Sequence, residues 1–312
     1  MAEYSKSAII KYTRLAKNMT QEELSQFICE PATLSRYENG QINPTNDKFT
    51  QLMQRMGETG ELYTFPVQCE TVDLQEKMKK LLYAIDRQDW NMAEKILEDI
   101  KNKHHMSMEY PENRQYAGRV ETILKFRRNE ISRETAIKEL EHLLELTIDN
   151  YEKFLSLEFF QISETEMMIL YNIATYLGIM GEIEKAEFIF RNIRRYFQGK
   201  YVICDDRPRY LINTNYSNLL GLNGRYDESI QICLEEIRWL IKKNKANCLF
   251  NLYFNIGWNI VKKIEKSLEP KEKMEQAKYY VWLAYQLAKF YPEYDKYSKD
   301  ILEFYHGISS LK

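Results

Sequence analysis

From Ser5 to Lys17, the residues Ile9, Tyr12 and Leu15 recur at three-residue steps and predict a first helix. Thr20 and Glu23 form a T-x-x-E capping box, in which the threonine hydroxyl and the glutamate each satisfy a backbone N–H that a helix start leaves unpaired. A second helix therefore starts there and runs to about Phe27. Pro31 suits the first position of a third helix, since its missing N–H costs nothing at that point. That helix turns Leu34 and Tyr37 inward and ends at Asn39-Gly40, where glycine accepts a left-handed backbone. A fourth helix from about Thr45 sets Phe49, Leu52 and Met56 on one face. After Gly57, Gly60 and Pro66 the pattern changes to long amphipathic helices, so a domain boundary is expected between residues 1–66 and 67–312.

In the second part, small residues inside helical phrases recur at intervals of roughly 40 to 50 residues. They are Ala93, Ala136, Ala186, Ser229 and Ala277, in the phrases WNMAEKIL, RETAIKEL, IEKAEFIF, YDESIQIC and MEQAKYYV. Two units match further: Asn172-Ile-Ala with Gly181 before Ala186, and Asn215-Tyr-Ser with Gly224 before Ser229. Asn255-Ile-Gly257 repeats the front of the unit, with a longer turn before Ala277. This resembles the tetratricopeptide repeat, a helical hairpin whose small positions let two helices approach closely. The resemblance implies a right-handed α-solenoid of about five hairpins with a concave face.

Composition narrows the classes. The chain has 312 residues with 11 Gly and 7 Pro, too few for a turn-rich sandwich or barrel, and the expected fold class is all-α. With 44% apolar residues it can bury enough surface to offset the entropy of ordering. The longest apolar stretch, Met167 to Met180, is broken by Asn172 and Thr175 and falls short of the roughly 20 residues of a membrane span. The start MAEYSKSAII has no apolar signal-peptide core, so a cytoplasmic protein without membrane partner is expected. Cys29, Cys69, Cys204, Cys233 and Cys248 form no CxxC pair, which argues for free or buried thiols. No phosphate-loop, dinucleotide, zinc-protease or nucleophile-elbow motif is present, and His104-His105 reads as a polar loop. Neither an enzyme, a metal site nor a cofactor is expected.

Four short helices with a tight second-to-third connection make the layout of a helix-turn-helix. The words QEELSQFICEPATLSRYENG, residues 21 to 40, resemble the Xre-type, phage-repressor-like family. Their shortened turn, with Ile28-Cys29 where glycine is usual, resembles the Rgg and PlcR-type regulators. That resemblance implies a third helix lying in the DNA major groove, with Ala32, Thr33 and Arg36 toward base edges and Gln21, Ser35 and Asn39 on phosphate. Lys11, Arg14 and Lys48 are further phosphate candidates. Arg36 is the strongest base reader, because a guanidinium bidentate to guanine is the commonest specific contact; the alternatives are a phosphate contact or an ion pair with Glu38 or Asp47. Residues 1–66 hold 7 Lys and Arg against 8 Asp and Glu, so their grip on phosphate is weak. A homodimer on a palindromic site would supply what one domain lacks.

Aligned on the repeat, Asn172, Asn215 and Asn255 take one position on successive first helices, with Thr175, Asn218 and Trp258 a turn further and Tyr171 and Asn251 beside them. Each amide offers a donor and an acceptor to a peptide backbone, whatever that peptide's side chains. The alternative is that this Asn bonds the adjacent hairpin. Taken over the whole chain, the resemblance to the Rgg/PlcR class implies a cytoplasmic transcription regulator controlled by a short signalling peptide. A protein-interaction scaffold with a recruiting DNA-binding domain stands as the alternative, as does a regulator answering to a small molecule or to no ligand.

Overall fold

The computed structural model describes residues 6–57, 72–86, 89–103, 106, 108, 110–157, 162–197, 206–245, 249–290 and 295–310, and no strand occurs among them. By its contacts the chain divides into two compact units, Met1–Asp149 and Asn150–Lys312. The boundary expected after Pro66 falls outside the described residues, as do His104, His105, Cys69, Cys204 and Cys248. Cys29 and Cys233 are unpaired thiols, and burial pushes Cys233 up to about 12.

The first unit begins with α1 (Lys6–Ala16), α2 (Gln21–Ser25), α3 (Pro31–Glu38) and α4 (Asn46–Arg55). The capping box at Thr20 and Glu23 is formed in full, and Pro31 opens α3. Glycine at φ +68 ends α3, where Gln41 N–H reaches back to the Arg36 carbonyl at 3.0 Å. Two expectations are corrected. On α1 Ile10 is fully buried, while Leu15, one of the three apolar residues at three-residue steps, is 51% exposed. The helix is turned so that Arg14 points inward to an acid on α3, and that partner sets its face. α2 stops at Ser25, because Phe27 takes a left-handed φ of +63 and closes the helix two residues earlier than expected.

The remainder of the first unit is two hairpins, α5 (Val72–Asp86) with α6 (Trp90–Lys103) and α7 (Pro111–Arg127) with α8 (Arg133–Leu144). In the second unit a short α9 (Tyr151–Leu155) precedes three hairpins. These are α10 (Glu164–Ile179) with α11 (Ile183–Phe197), α12 (Asp206–Leu222) with α13 (Tyr226–Lys242), and α14 (Leu249–Glu265) with α15 (Met274–Lys289). α16 (Asp295–Ser309) packs on α15. The hairpins of both units are of the tetratricopeptide-like kind, and the three of the second unit stack on one another. Ala93, Ala136, Ala186, Ser229 and Ala277 each lie on a second helix with no exposed surface. At Gly257 backbone meets backbone, for a Cβ there would lie 3.0 Å from the Ala277 carbonyl oxygen as well as 2.6 Å from Val281 Cγ2. Left-handed residues end the first helices: Gly181 and Gly224 where the repeat pattern puts them, and Ser267 after α14, where it has no glycine.

Candidate DNA-contacting helix and groove-lining strip

Leu34, Tyr37 and Glu38 face inward from α3, and Ala32, Arg36 and Asn39 stand exposed, with Thr33 and Ser35 half-buried. At 3.6 residues per turn, Ala32, Ser35, Arg36 and Asn39 share the outward face, so four of the five sequence-expected contact residues of this helix are brought together, while Thr33 lies about 100° round from Ala32. Asn39 Nδ2 donates to Ser35 Oγ at 3.4 Å, bracing the end of that face. Arg36 has no acid partner among the described residues. Of the two acids weighed for it, Asp47 accepts from Gln51 at 2.8 Å, and Glu38 is turned into the core.

Glu38 is the centre of an arrangement that sequence reasoning missed. Its carboxylate accepts from Arg14 Nε at 2.5 Å, Arg14 Nη2 at 2.8 Å and Gln21 Nε2 at 2.7 Å, while Arg14 Nη1 donates to the Met19 carbonyl at 2.7 Å. Burial pushes this carboxyl up, but the hydrogen bonds from Arg14 and Gln21 and the charges of Arg14 and Lys11 outweigh it and hold it below the ordinary carboxylate value. One acid thereby locks α1, the start of α2 and the end of α3 together. Arg14 and Gln21, both read from sequence as phosphate candidates, have internal partners here. Lys48, the third such residue, donates to the Ile28 carbonyl at 2.6 Å, and Arg55 to the Gln26 carbonyl at 2.8 Å. These two cations from α4 hold the tight turn beneath α3. No local spacing announces such pairs, since their members lie 20 or more residues apart.

In the second unit the successive first helices α10, α12 and α14 touch one another as well as their own partners, which puts them on the inner side of this stack. Tyr171, Asn172 and Thr175 of α10, Asn215 and Asn218 of α12, and Asn251 and Trp258 of α14 are all half-buried or exposed. Asn215 Nδ2 donates to the Tyr171 hydroxyl at 2.9 Å and to the Leu211 carbonyl at 3.1 Å, tying two hairpins across the strip. Thr175 Oγ1 donates to the Tyr171 carbonyl at 2.8 Å, and Lys262 Nζ sits 5.6 Å from the Trp258 ring centre. Asn255 is a correction. It is buried, and its Nδ2 donates to Ser217 Oγ at 2.8 Å, so it fastens α14 to α12 where a ligand has no access. Asn259 does likewise to Ser229 Oγ at 2.9 Å. Sequence reasoning also missed Ile179, 61% exposed, and Leu222, 74% exposed. Each follows the Asn of its unit by two helical turns on the same face, a periodicity that would have found them.

Four short helices with a tight second-to-third turn, followed along the chain by helical hairpins, define a class, a helix-turn-helix carried by a repeat domain. Residues 10–62 match the helix-turn-helix family model. Over nearly its whole length the chain has the fold of PlcR from Bacillus thuringiensis solved with the peptide PapR7 and DNA (TM-score 0.61, 18% identity, 96% of this chain and 99% of that one). It shares the fold also with the SHP pheromone receptor Rgg2 from Streptococcus dysgalactiae (TM-score 0.53, 15% identity, 97% and 99% covered). ComR from S. thermophilus, solved with DNA and its signalling peptide ComS, is similar too (TM-score 0.52, 17% identity, 98% and 100% covered). No curated protein matches the chain in sequence. Among the described residues no cluster of three or more His, Cys, Asp or Glu is arranged for a metal ion, and no helix is long and apolar enough to cross a membrane.

Proposed function

We propose that this protein is a cytoplasmic, sequence-specific DNA-binding transcription regulator controlled by a short peptide held on the inner strip of its repeat domain. The observation that carries the reading is the union in one chain of an outward, acid-free Arg36 on a helix-turn-helix with an accessible row of amide and aromatic side chains on α10, α12 and α14. PlcR and ComR, with the same fold, were solved with both kinds of partner. Ala32, Thr33 and Arg36 read bases, and Ser35 and Asn39 approach phosphate. Gln21 reaches phosphate with whatever capacity Glu38 leaves it. Tyr171, Asn172, Thr175, Asn215, Asn218, Asn251 and Trp258 form the peptide strip. The active species is a homodimer on a palindromic promoter site, and Tyr279 and Trp282, exposed on α15, with Phe290 just past its end, offer aromatic surface for the pairing. A peptide shifts DNA affinity only as far as it binds one dimer geometry better than the other.

Binding-site selection with the full chain tests the DNA half. Arg36→Ala lowers specific binding by roughly 1 to 3 kcal/mol per half-site and relaxes preference at one base pair. An unchanged selected motif would remove Arg36 from base reading. For the peptide half, fractions of spent culture medium change the DNA affinity of the wild type. Asn218→Ala weakens that response while DNA binding without peptide persists; an undiminished response takes Asn218 out of the strip.

A further inference from the structure

α11 and α13 both pack on α12, and between them a slot of about 410 Å³ opens onto Tyr216 and Leu220 of α12. Residues two apart on a helix point about 200° apart, so this face of α12 lies opposite Asn218 and Leu222. The slot is therefore separate from the inner strip. One wall carries Arg191, Arg194 and Arg195 of α11, and the other carries Glu228, Gln231 and Glu235 of α13, with Ile232 and Leu220 as the apolar base.

The carboxylates of this slot are already engaged. Glu228 accepts from Arg225 Nε at 2.7 Å and Nη2 at 2.5 Å, and Arg225 Nη1 also donates to Glu187 at 2.5 Å. Glu235 accepts from Arg194 Nη2 and, at 2.9 Å, from Gln231 Nε2. Arg195 donates to the carbonyls of Leu155 and Leu157 at 2.8 and 2.6 Å. Two donors remain. Arg191 is exposed and has no acid partner among the described residues, and Arg194 Nε is buried with no acceptor. Counting the four arginines against Glu187, Glu228 and Glu235, the site holds one positive charge in excess. Guanidinium forks match the geometry of oxyanions, and a buried N–H without an acceptor is costly until one arrives. The volume lies in the roughly 300 to 1,000 Å³ range of small-molecule sites and exceeds what a bare ion fills.

We propose that the slot binds a small polar molecule by its oxyanion, a phosphate or a carboxylate, seated between Arg191 and Arg194, with N–H donors at its far end facing Gln231 and the carboxylates of α13. This ligand is independent of the DNA and peptide reading, which uses other faces of the molecule. AMP carries both features on a phosphate and glutamate carries both on a carboxylate, so these two probes distinguish the sources.

The full-length protein is titrated with each by calorimetry at ionic strength balanced with sodium chloride. One of them saturates with a Kd of about 1 mM or tighter. Arg191→Gln, an exposed change that leaves the melting temperature unaltered, weakens that binding by about tenfold or more, and Gln231→Ala weakens it less. Arg194 is not substituted, since its loss would strand Glu235. Absence of saturable binding by both probes, or equal binding by Arg191→Gln and wild type, overturns the proposal.

Discussion

Replacing Arg14 by Met leaves the Glu38 side chain, 1% exposed, with Gln21 Nε2 as the survivor of its three donors. Each hydrogen bond to a buried charge contributes about 1.5 to 3 kcal/mol, and two are lost, which agrees with the roughly 3 to 5 kcal/mol cost of stranding one member of a buried ion pair. Hydrogen exchange at neutral pH reads this directly, as a drop in protection of the α1–α4 amides of about a hundred- to a few-thousand-fold. Amides of α10–α13 serve as the internal control and stay unchanged. The pH dependence separates the pair from mere loss of packing. In the wild type the Glu38 carboxyl lies below its ordinary value, so its contribution is present above the unfolded value of about 4.3 and is lost as pH falls through the lower folded value. In Arg14→Met, burial dominates and the folded value rises above the unfolded one. The variant then gains stability, relative to wild type, as the pH is lowered and the stranded carboxylate takes up a proton. Arg14→Met combined with Glu38→Leu recovers at least half of the loss, because two apolar side chains replace a buried pair at little cost. A loss below about 1 kcal/mol, no reversal of the pH slope, or a double variant no better than the single would refute the reasoning.

Gly257→Ala drives a methyl group against the Ala277 carbonyl oxygen and the backbone N of Val281, 3.0 and 3.2 Å from the Cβ position, and lowers stability by about 1 to 3 kcal/mol in denaturant titration; a neutral result would mean that α14 and α15 separate freely. Phe27→Gly removes an aromatic side chain, 95% exposed, from a backbone at φ +63, and since the left-handed conformation costs roughly 1 to 2 kcal/mol while Gly returns part of that as unfolded-chain entropy, the protein gains about 0.5 to 1 kcal/mol in a thermal melt. A lower melting temperature would show that the ring makes a contact that matters. Asn255→Ala lowers the melting temperature by the equivalent of about 1 to 3 kcal/mol, because Ser217 Oγ loses the amide donor that Asn255 supplies, whereas Asn218→Ala melts as the wild type; equal melts for the two would put Asn255 back among the accessible residues.

What the sequence carried plainly was whatever is decided within one or two helical turns. The capping box at Thr20, Pro31 opening α3, the Gly40 stop and the small residues on each second helix are satisfied by near neighbours, and all of them stand where the pattern put them. The turn after α14 is longer, as the pattern has it, and its left-handed position is filled by Ser267, with Leu268 N–H still reaching the Lys263 carbonyl at 2.8 Å. The geometry survived where the letter did not. The misread positions are those fixed from another element. Leu15 belongs to the apolar period that predicts α1, yet it is exposed, because Arg14 beside it is turned to Glu38.

The three aligned Asn residues make the same point on the candidate site. Asn172 and Asn215 remain half-open, while Asn255 is shut in with its amide on the Ser217 hydroxyl of α12, an acceptor that Ala174, at the equivalent position of α10, does not offer to Asn215. Identity at one repeat position thus fixes where a side chain starts and leaves to the neighbouring hairpin whether a ligand can meet it. The proposed strip is therefore better defined by exposure along α10, α12 and α14, which excludes Asn255 and brings in Ile179 and Leu222. If a peptide lies on that strip as proposed, two exposed aliphatic side chains give it something that a column of amides lacks, a preference for apolar residues at one end.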